Sequence, residues 1–437
     1  MKKRTLRIPL ALLLACGMLI SLSACNRQEI SETLTGQARA SDEKSSAKAD
    51  TSDSQKAEKD AQTNSDSASF DPDTVFTARD LEQTADLDGA VTLTVKDGET
   101  LSVTKAGTYL INGTAKECTI RVEAGNEAKV QLVLDGVSVT NTDFPVIYVV
   151  SADKCFITLT DSDNTLTVTG TFRADGETNT DAVIYAKDDL VLNGSGSLSV
   201  TSKSGNGVSC KDDLKITGGT YTMNTALDSF EANDSLSICD GTFSVTTKKD
   251  AFHCENDEDN TLGSVYISGG TFTVNAESDA IQATTTLRID GGTFDLKGRE
   301  GLEATRIVIN DGNITINASD DGINASKKST AAGTPSVTIN GGNLNVTVGQ
   351  GDTDAIDTNG DIYVNGGTIN ITSTVSSFDY DGKAEYNGGT IIINGETVDS
   401  IPKSMMGGPG GFGGGGRPNR GNSDGDGNGS GRTKRNR

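Results

Sequence analysis

Eight times between Asn206 and Asp379 the chain places a polar, usually acidic residue before a small one and an apolar one, at a basic interval of about 22 residues. The first position of this word is Asn206, Asp228, Asp250, Asp279, Glu300, Asp321, Asp354 and Ser376. Three residues later comes a second polar position, acidic at Glu231, Glu303, Asp357 and Asp379 and occupied by the single histidine, His253, in another copy. If the copies stack as neighbouring strands, equivalent carboxylates lie about 4.8 Å apart. Two such charges repel by roughly 3 kcal/mol at an effective dielectric near 20. A row of them must hold protons, splay into water or bind cations. Calcium fits best, because it takes six to eight oxygens in irregular geometry. Zinc and copper want His or Cys, and the repeats offer one histidine, His253, while Cys210 and Cys254 fall in an alanine-like column away from the acids. The candidate metal ligands are therefore Asp228, Glu231, Asp250, Asp279, Glu300, Glu303, Asp320, Asp321, Asp354, Asp357 and Asp379, most crowded at Glu300 with Glu303, Asp320 with Asp321 and Asp354 with Asp357. The competing reading is that each acid merely caps its turn by accepting backbone hydrogen bonds.

Strands must position these groups. Each copy continues into an alternating strand, such as Leu236 and Ile238 or Ile307 and Ile309, then a glycine turn, then a second alternating strand such as Phe272 with Val274. The residue before the turn glycines, as at Asn340, Asn365 and Asn387, can bond its own turn backbone. No uninterrupted 3.6-residue apolar period is present. Three short strands per coil of about 22 residues is the pattern of a parallel β-helix, an all-β solenoid in which successive coils pair and share a core. Residues from about Leu87 to Val200 repeat less regularly and should form the first coils.

Around this domain, placed at 70–400, composition changes sharply. Residues 1–24 read as a lipoprotein signal peptide: a basic start, an apolar core too short for a membrane span, and Leu22 to Cys25 as a lipobox, so that lipidated Cys25 anchors the mature chain outside the cytoplasmic membrane. Residues 25–69 carry hardly any large apolar side chain and read as a disordered tether. Residues 401–437 are glycine-rich and basic and read as a disordered tail. Within the domain, Glu255 to Asn260 and Ser326 to Thr334 lengthen two coils at equivalent corners and could wall a groove above the acids. Cys210 and Cys254 fall two coils apart in an alanine-like column, too far for a disulfide.

Charge and chemistry narrow the function. The formal net charge is −23, which argues against nucleic acid and means that an acidic polymer needs bridging cations or a local basic lip. With one His and no nucleophile elbow, a serine or cysteine triad lacks support. Trp is absent, so a flat glucan would depend on a few rings among Tyr221, Tyr266, Tyr363, Tyr380 and Tyr386, of which Tyr221 and Tyr386 fall on inward positions. A calcium-dependent lyase would need a base such as Lys249 or Arg299, yet a basic residue beside a carboxylate more often forms an ion pair. A purely structural envelope protein stiffened by calcium is the third reading.

The words Ala106 to Gly113, Lys129 to Gly136, Ala186 to Gly194 and Lys211 to Gly219, followed by the repeated Asp-Ala-Ile turns, resemble the bacterial carbohydrate-binding-domain lipoproteins described from clostridia. The resemblance spans about Phe70 to Asn394. It implies a right-handed parallel β-helix like that of pectate lyases, with bound calcium and affinity for cellulose and acidic sugars such as polygalacturonate. The expected protein is a monomeric, non-catalytic, surface-anchored polysaccharide binder that meets the membrane through its lipid alone.

Overall fold

The computed structural model describes residues 72–351 and 353–402. The signal peptide, Cys25, the tether and all but the first two residues of the expected tail lie outside the described residues. Apart from one helical turn at Pro72–Val75, the regular elements are strands.

From Asn206 onward the coils stack as the repeat requires, in three parallel sheets. The short sheet holds the acidic words: Asn206–Cys210, Phe230–Ala232, Phe252–Cys254, Ile281–Ala283, Leu302–Ala304, Ile323–Ala325, Asp354–Thr358 and Ser376–Tyr380. The middle sheet begins with Asp213–Ile216 and Ser235–Ile238, and the broad sheet with Thr220–Thr225 and Thr242–Thr247. Pairing between coils is in register, for example Leu236 on Val265 and Phe243 on Phe272. The chain is therefore an all-β parallel solenoid.

Alternation along each strand sends every second side chain inward. The broad sheet contributes Tyr221, Phe243, Phe272 and Phe294, whose rings stack with centroids 5.3, 4.7 and 4.5 Å apart. The short sheet contributes Val208, Phe230, Phe252, Ile281, Leu302, Ile323, Ile356 and Phe378, all essentially inaccessible. Glycine in the word is sometimes obligatory. A Cβ on Gly301 would come within 2.4 Å of Ile316 Cγ2 and 2.5 Å of the Gly322 carbonyl oxygen. The cysteines Cys118, Cys155, Cys210, Cys239 and Cys254 are free, and Cys210 pairs in register with Ala232, which pairs with Cys254.

The turn before the broad sheet differs from the expectation of self-bonded turns. Asp240 and Asp311 do accept their own turn's N–H. The asparagines instead bond along the solenoid axis: Asn387 Nδ2 donates to Asn365, Asn365 to Asn340, Asn340 to Asn310 and Asn310 to Asp290, at 2.6–2.8 Å.

The earlier coils use longer strands, Thr119–Asn141 and Ile147–Leu159, with register shifts between them. Residues 74–90 form a strap across the outside of the middle sheet. Phe76 lies 6.4 Å from Tyr266, and Arg79 lies over Phe156 at 4.4 Å. Fully buried Asp80 sits 3.7 Å from both Lys154 and Lys215. At the other end, Thr390–Ile393 pairs antiparallel with Glu396–Val398.

Candidate functional site

Register places the second polar positions of the acidic words in one continuous column. Ser209 pairs with Glu231, Glu231 with His253, His253 with Gln282, Gln282 with Glu303, Glu303 with Asn324, Asn324 with Asp357 and Asp357 with Asp379. The first-position acids form the neighbouring row. Much of that row does cap the backbone. The N–H of Asp228 donates to Asn206 Oδ1, that of Asp250 to Asp228 Oδ1, that of Asp279 to Asp250 Oδ1 and that of Asp354 to Asp321 Oδ1, at 2.8–3.0 Å. Asn206, Asp228, Asp250 and Asp321 thus each satisfy a backbone donor one coil further on, which leaves the second oxygen of the three acids for other work.

Two clusters stand out along the row, in each of which three ligand-type atoms lie within 4.8 Å of one another: Asp228, Asp250 and His253, then Asp279, Glu300 and Glu303. All six residues are buried, none more than 6% exposed. In the first cluster, Asp228 Oδ2 meets Lys249 Nζ at 2.7 Å and His253 Nδ1 at 3.1 Å. Asp250 lies 3.8 Å from the same ring nitrogen, and Glu255 lies 3.3 Å from His253 Nε2. Burial opposes a charged imidazole, but hydrogen bonds to Asp228 and Glu255 and the charges of Asp228 and Asp250 outweigh it, raising His253 to about 10. Burial likewise opposes a charged Asp228, yet His253 and Lys249 pull its carboxyl below the ordinary range.

The second cluster is less well balanced. Arg299 reaches Glu300 at 2.8 Å and Asp279 and Asp320 at 3.1 Å each, so one guanidinium serves three acids. Lys328 meets Glu303 at 2.7 Å. Asn324 donates to Glu300 at 3.1 Å. Burial, then the charges of Glu300, Asp250 and Glu303, push Asp279 up to about 8. Burial and the charge of Glu303 raise Glu300 to about 7. On the next two coils, burial and neighbouring acids raise Asp321 to about 6 and Asp357 to about 7. Among the described residues, no Lys or Arg forms an ion pair with Asp321, Asp357 or Asp379.

Other candidates fall elsewhere. Asp320 does not enter either row; it occupies the flanking column, one residue before the acid, and its side chain is 42% exposed against Arg299. Glu231 is held by Lys211 at 3.1 Å and by Asn206 at 2.8 Å. Tyr266, expected as an outward ring, is covered by Phe76 and only 2% exposed. Tyr221 is buried, as its inward position requires.

Two features escaped the sequence reading. One is that the residue before an acid reaches back one coil: Lys249 to Asp228 and Arg299 to Asp279. Aligning the flanking position of every copy would have exposed it as a column of Gly205, Leu227, Lys249, Ser278, Arg299, Asp320, Thr353 and Val375. The other is Lys328, which the second insertion delivers to the row. Thr305 Oγ1 accepts the N–H groups of Lys328 and Ser329 at 3.1 and 2.8 Å. The two insertions also touch, with Asn260 Nδ2 donating to Thr330 Oγ1 at 2.9 Å and Ser329 Oγ to the Asn260 carbonyl at 2.5 Å. They form one joined wall beside the acidic corner.

The donor chemistry fits a hard divalent cation. Asp279, Glu300 and Glu303 offer only oxygen, converge within 4.8 Å and, once all are ionised, would carry three negative charges against Arg299, which also serves Asp320, and Lys328.

A family model described as carbohydrate-binding domain-containing protein matches residues 97–355 and 306–407. A carbohydrate-binding domain-containing protein of Acetivibrio thermocellus is 40% identical over 134 residues, which are 30% of this chain and 46% of that relative. The match therefore spans about half the length of the curated relative. A solved structure of a polysaccharide lyase-like protein from C. thermocellum, a gadolinium derivative, is 29% identical at a TM-score of 0.43, covering 52% of this chain and 93% of that one.

Proposed function

From the premise that this chain belongs to the carbohydrate-binding domain-containing family, we propose that it binds an acidic polysaccharide through calcium held on the acidic corner, without cutting it. The observation that carries this reading is the second cluster, where burial and crowding keep Asp279 and Glu300 partly protonated near neutrality. A divalent cation would relieve that repulsion and release those protons.

Asp279, Glu300 and Glu303 would hold the ion, whereas among the described residues Asp321, Asp357 and Asp379 do not converge as that group does. The ion would supply a bridge between protein oxygens and a sugar carboxylate, overcoming the net charge of −23. Arg299 and Lys328 would turn outward as the ion enters. Their side chains are 44% and 25% exposed, so the move carries them toward solvent along the wall formed by the joined insertions. Both then become the basic lip that a uronate chain needs.

Binding rather than cleavage is supported by the state of the candidate bases. Lys249 is locked on Asp228 at 2.7 Å and holds its proton more tightly than usual despite the opposing effect of burial, and Arg299, a guanidinium, keeps its proton whether or not it leaves the carboxylates. A lyase base must give up its proton before it can take one from substrate. Attachment to the cell surface through Cys25 completes the proposal, placing the corner where calcium and wall polymers meet it.

Retention of the protein on immobilised polygalacturonate with calcium and with EDTA tests this reading. Retention only with calcium, and no rise in ultraviolet absorbance from unsaturated product, is the expected result. Product formation would make the protein a lyase. Calcium uptake without retention would leave the ion a stiffener of the solenoid.

A further inference from the structure

The strap at residues 74–90 and the turns that end the early middle-sheet strands enclose a half-open pocket of about 220 Å³ that shares no residue with the acidic corner. One wall comes from the strap, with Gln83 and Leu87. The other comes from the solenoid, with Val133, Thr160, Asp161 and Ser195. Gln83 fixes the strap side: its Nε2 donates to the Thr217 carbonyl at 3.0 Å, and its Oε1 accepts the Gly194 N–H at 2.9 Å. Asp80, clasped by Lys154 and Lys215, fixes the same segment three residues earlier.

The lining divides by chemistry. Leu87 and Val133 give an apolar face, and Leu87 remains 46% exposed although it is a large aliphatic side chain at a pocket mouth. On the solenoid wall, beside Val133, Ser195 Oγ donates to Asp161 Oδ1 at 2.5 Å, and Thr160 Oγ1 donates to Asp135 at 2.9 Å. Asp161 is exposed, and no Lys or Arg lines the pocket. A carboxylate beside hydroxyls, facing an aliphatic wall, suits a ligand with a C–H face and adjacent hydroxyl groups. Its volume falls below the roughly 300–1,000 Å³ of pockets for drug-sized molecules, so one ring fits and a chain does not. The lone acid and absent cations disfavour a uronate.

We propose that this pocket is a second sugar site, which takes one uncharged pyranose unit between strap and solenoid and needs no divalent cation. Asp161 accepts from a pair of sugar hydroxyls, and Leu87 packs on the ring. Because the ligand bridges two segments, its binding also pins the strap.

The test uses the full chain in EDTA, which silences the corner. Saturation-transfer NMR with methyl β-glucopyranoside, and with galacturonate as the anionic comparison, reads the binding. The expected result is transfer to the glucoside at concentrations on the order of 10 mM, little transfer to galacturonate, and slower hydrogen exchange of the amides at 84–90. Leu87→Asp and Asp161→Asn should each weaken glucoside binding about tenfold. Calcium-dependent retention of Leu87→Asp on polygalacturonate should be unchanged, which also shows that the variant folds. No transfer to the glucoside, or transfer unaltered by both substitutions, would overturn the proposal whatever becomes of the corner site.

Discussion

The two clusters of the acidic corner occupy the same places on successive coils, yet they solve the same electrostatic problem in opposite ways. Around Asp228 and Asp250 the chain supplies its own cations, Lys249 and His253, and Asp228 is held ionised. Around Asp279, Glu300 and Glu303 a single guanidinium is divided among Asp279, Glu300 and outlying Asp320, Lys328 serves Glu303, and Asp279 and Glu300 retain protons to about 8 and 7. A solenoid repeats backbone positions faithfully. Whether a given coil is closed with its own ion pair or left to recruit an ion depends on two positions, the residue before the acid and the residue three after it.

The most disruptive way to break the contrast is His253→Gln. It strands Asp228 and Asp250 without the imidazolium that lies between them, and removing one partner of a buried pair costs about 3–5 kcal/mol. Urea unfolding in EDTA should show a loss of that size, partly recovered by calcium because the first cluster would then resemble the second. A loss below 1 kcal/mol would mean that His253 does not neutralise the row.

Next comes the double substitution Glu300→Gln with Glu303→Gln. It should lower calcium affinity at the second cluster by about a hundredfold, on the order of 2.7 kcal/mol, in a calorimetric titration. Unchanged stoichiometry and affinity would remove both residues from the site.

The pH dependence sharpens the comparison without a mutation. Asp279 and Glu300 have folded-state values raised above those of an unfolded chain, so the native state binds more protons between about pH 4 and 8. Stability in EDTA should therefore fall as pH rises through that window. His253, raised to about 10, adds stability that is full below about 6.5 and fades toward 10, so it acts in the same direction at alkaline pH. Calcium should flatten the acid part of the slope alone. A rise in stability from pH 5 to 8 in EDTA would contradict the raised carboxylates.

The smallest effect is expected from Arg299→Gln. The guanidinium is 44% exposed, and its buried partners Asp279 and Glu300 can take up protons in its place, so the stability cost should be about 1 kcal/mol or less, but polygalacturonate retention in calcium should drop severalfold if Arg299 forms the basic lip. Retention equal to the parent protein would assign the arginine to charge balance alone.

Much of this was legible in the repeat. Periodicity of acid, small and apolar residues was enough to predict a parallel solenoid, because only in-register stacking makes such words useful, and the column from Ser209 to Asp379 follows directly. The site was less legible for a physical reason. Side chains of Lys249, Arg299 and Lys328 act across coils or from an insertion, and their partners depend on reach and direction rather than on sequence spacing. Asp320 was grouped with Asp321 by adjacency, although both lie in the bend between Asn313–Ala318 and Ile323–Ala325, where Asp320 turns to Arg299 while Asp321 accepts the Asp354 N–H. The strap left no signal at all: nothing in a single Asp80 announces that it will be buried between lysines 74 and 135 positions away.

The last winding carries a consequence for solubility. Thr390–Ile393 has its open side occupied by Glu396–Val398, running the other way, while the two remaining terminal strands carry Asp379 and Glu385 and the turn between them carries Asp381 and Lys383. Reversed pairing at one border and charge at the others deny an incoming chain a template. Truncation ahead of Glu396 would uncover a β-branched strip of Ile391, Ile392 and Ile393, and a protein built to stop would acquire a face on which fibrils could grow.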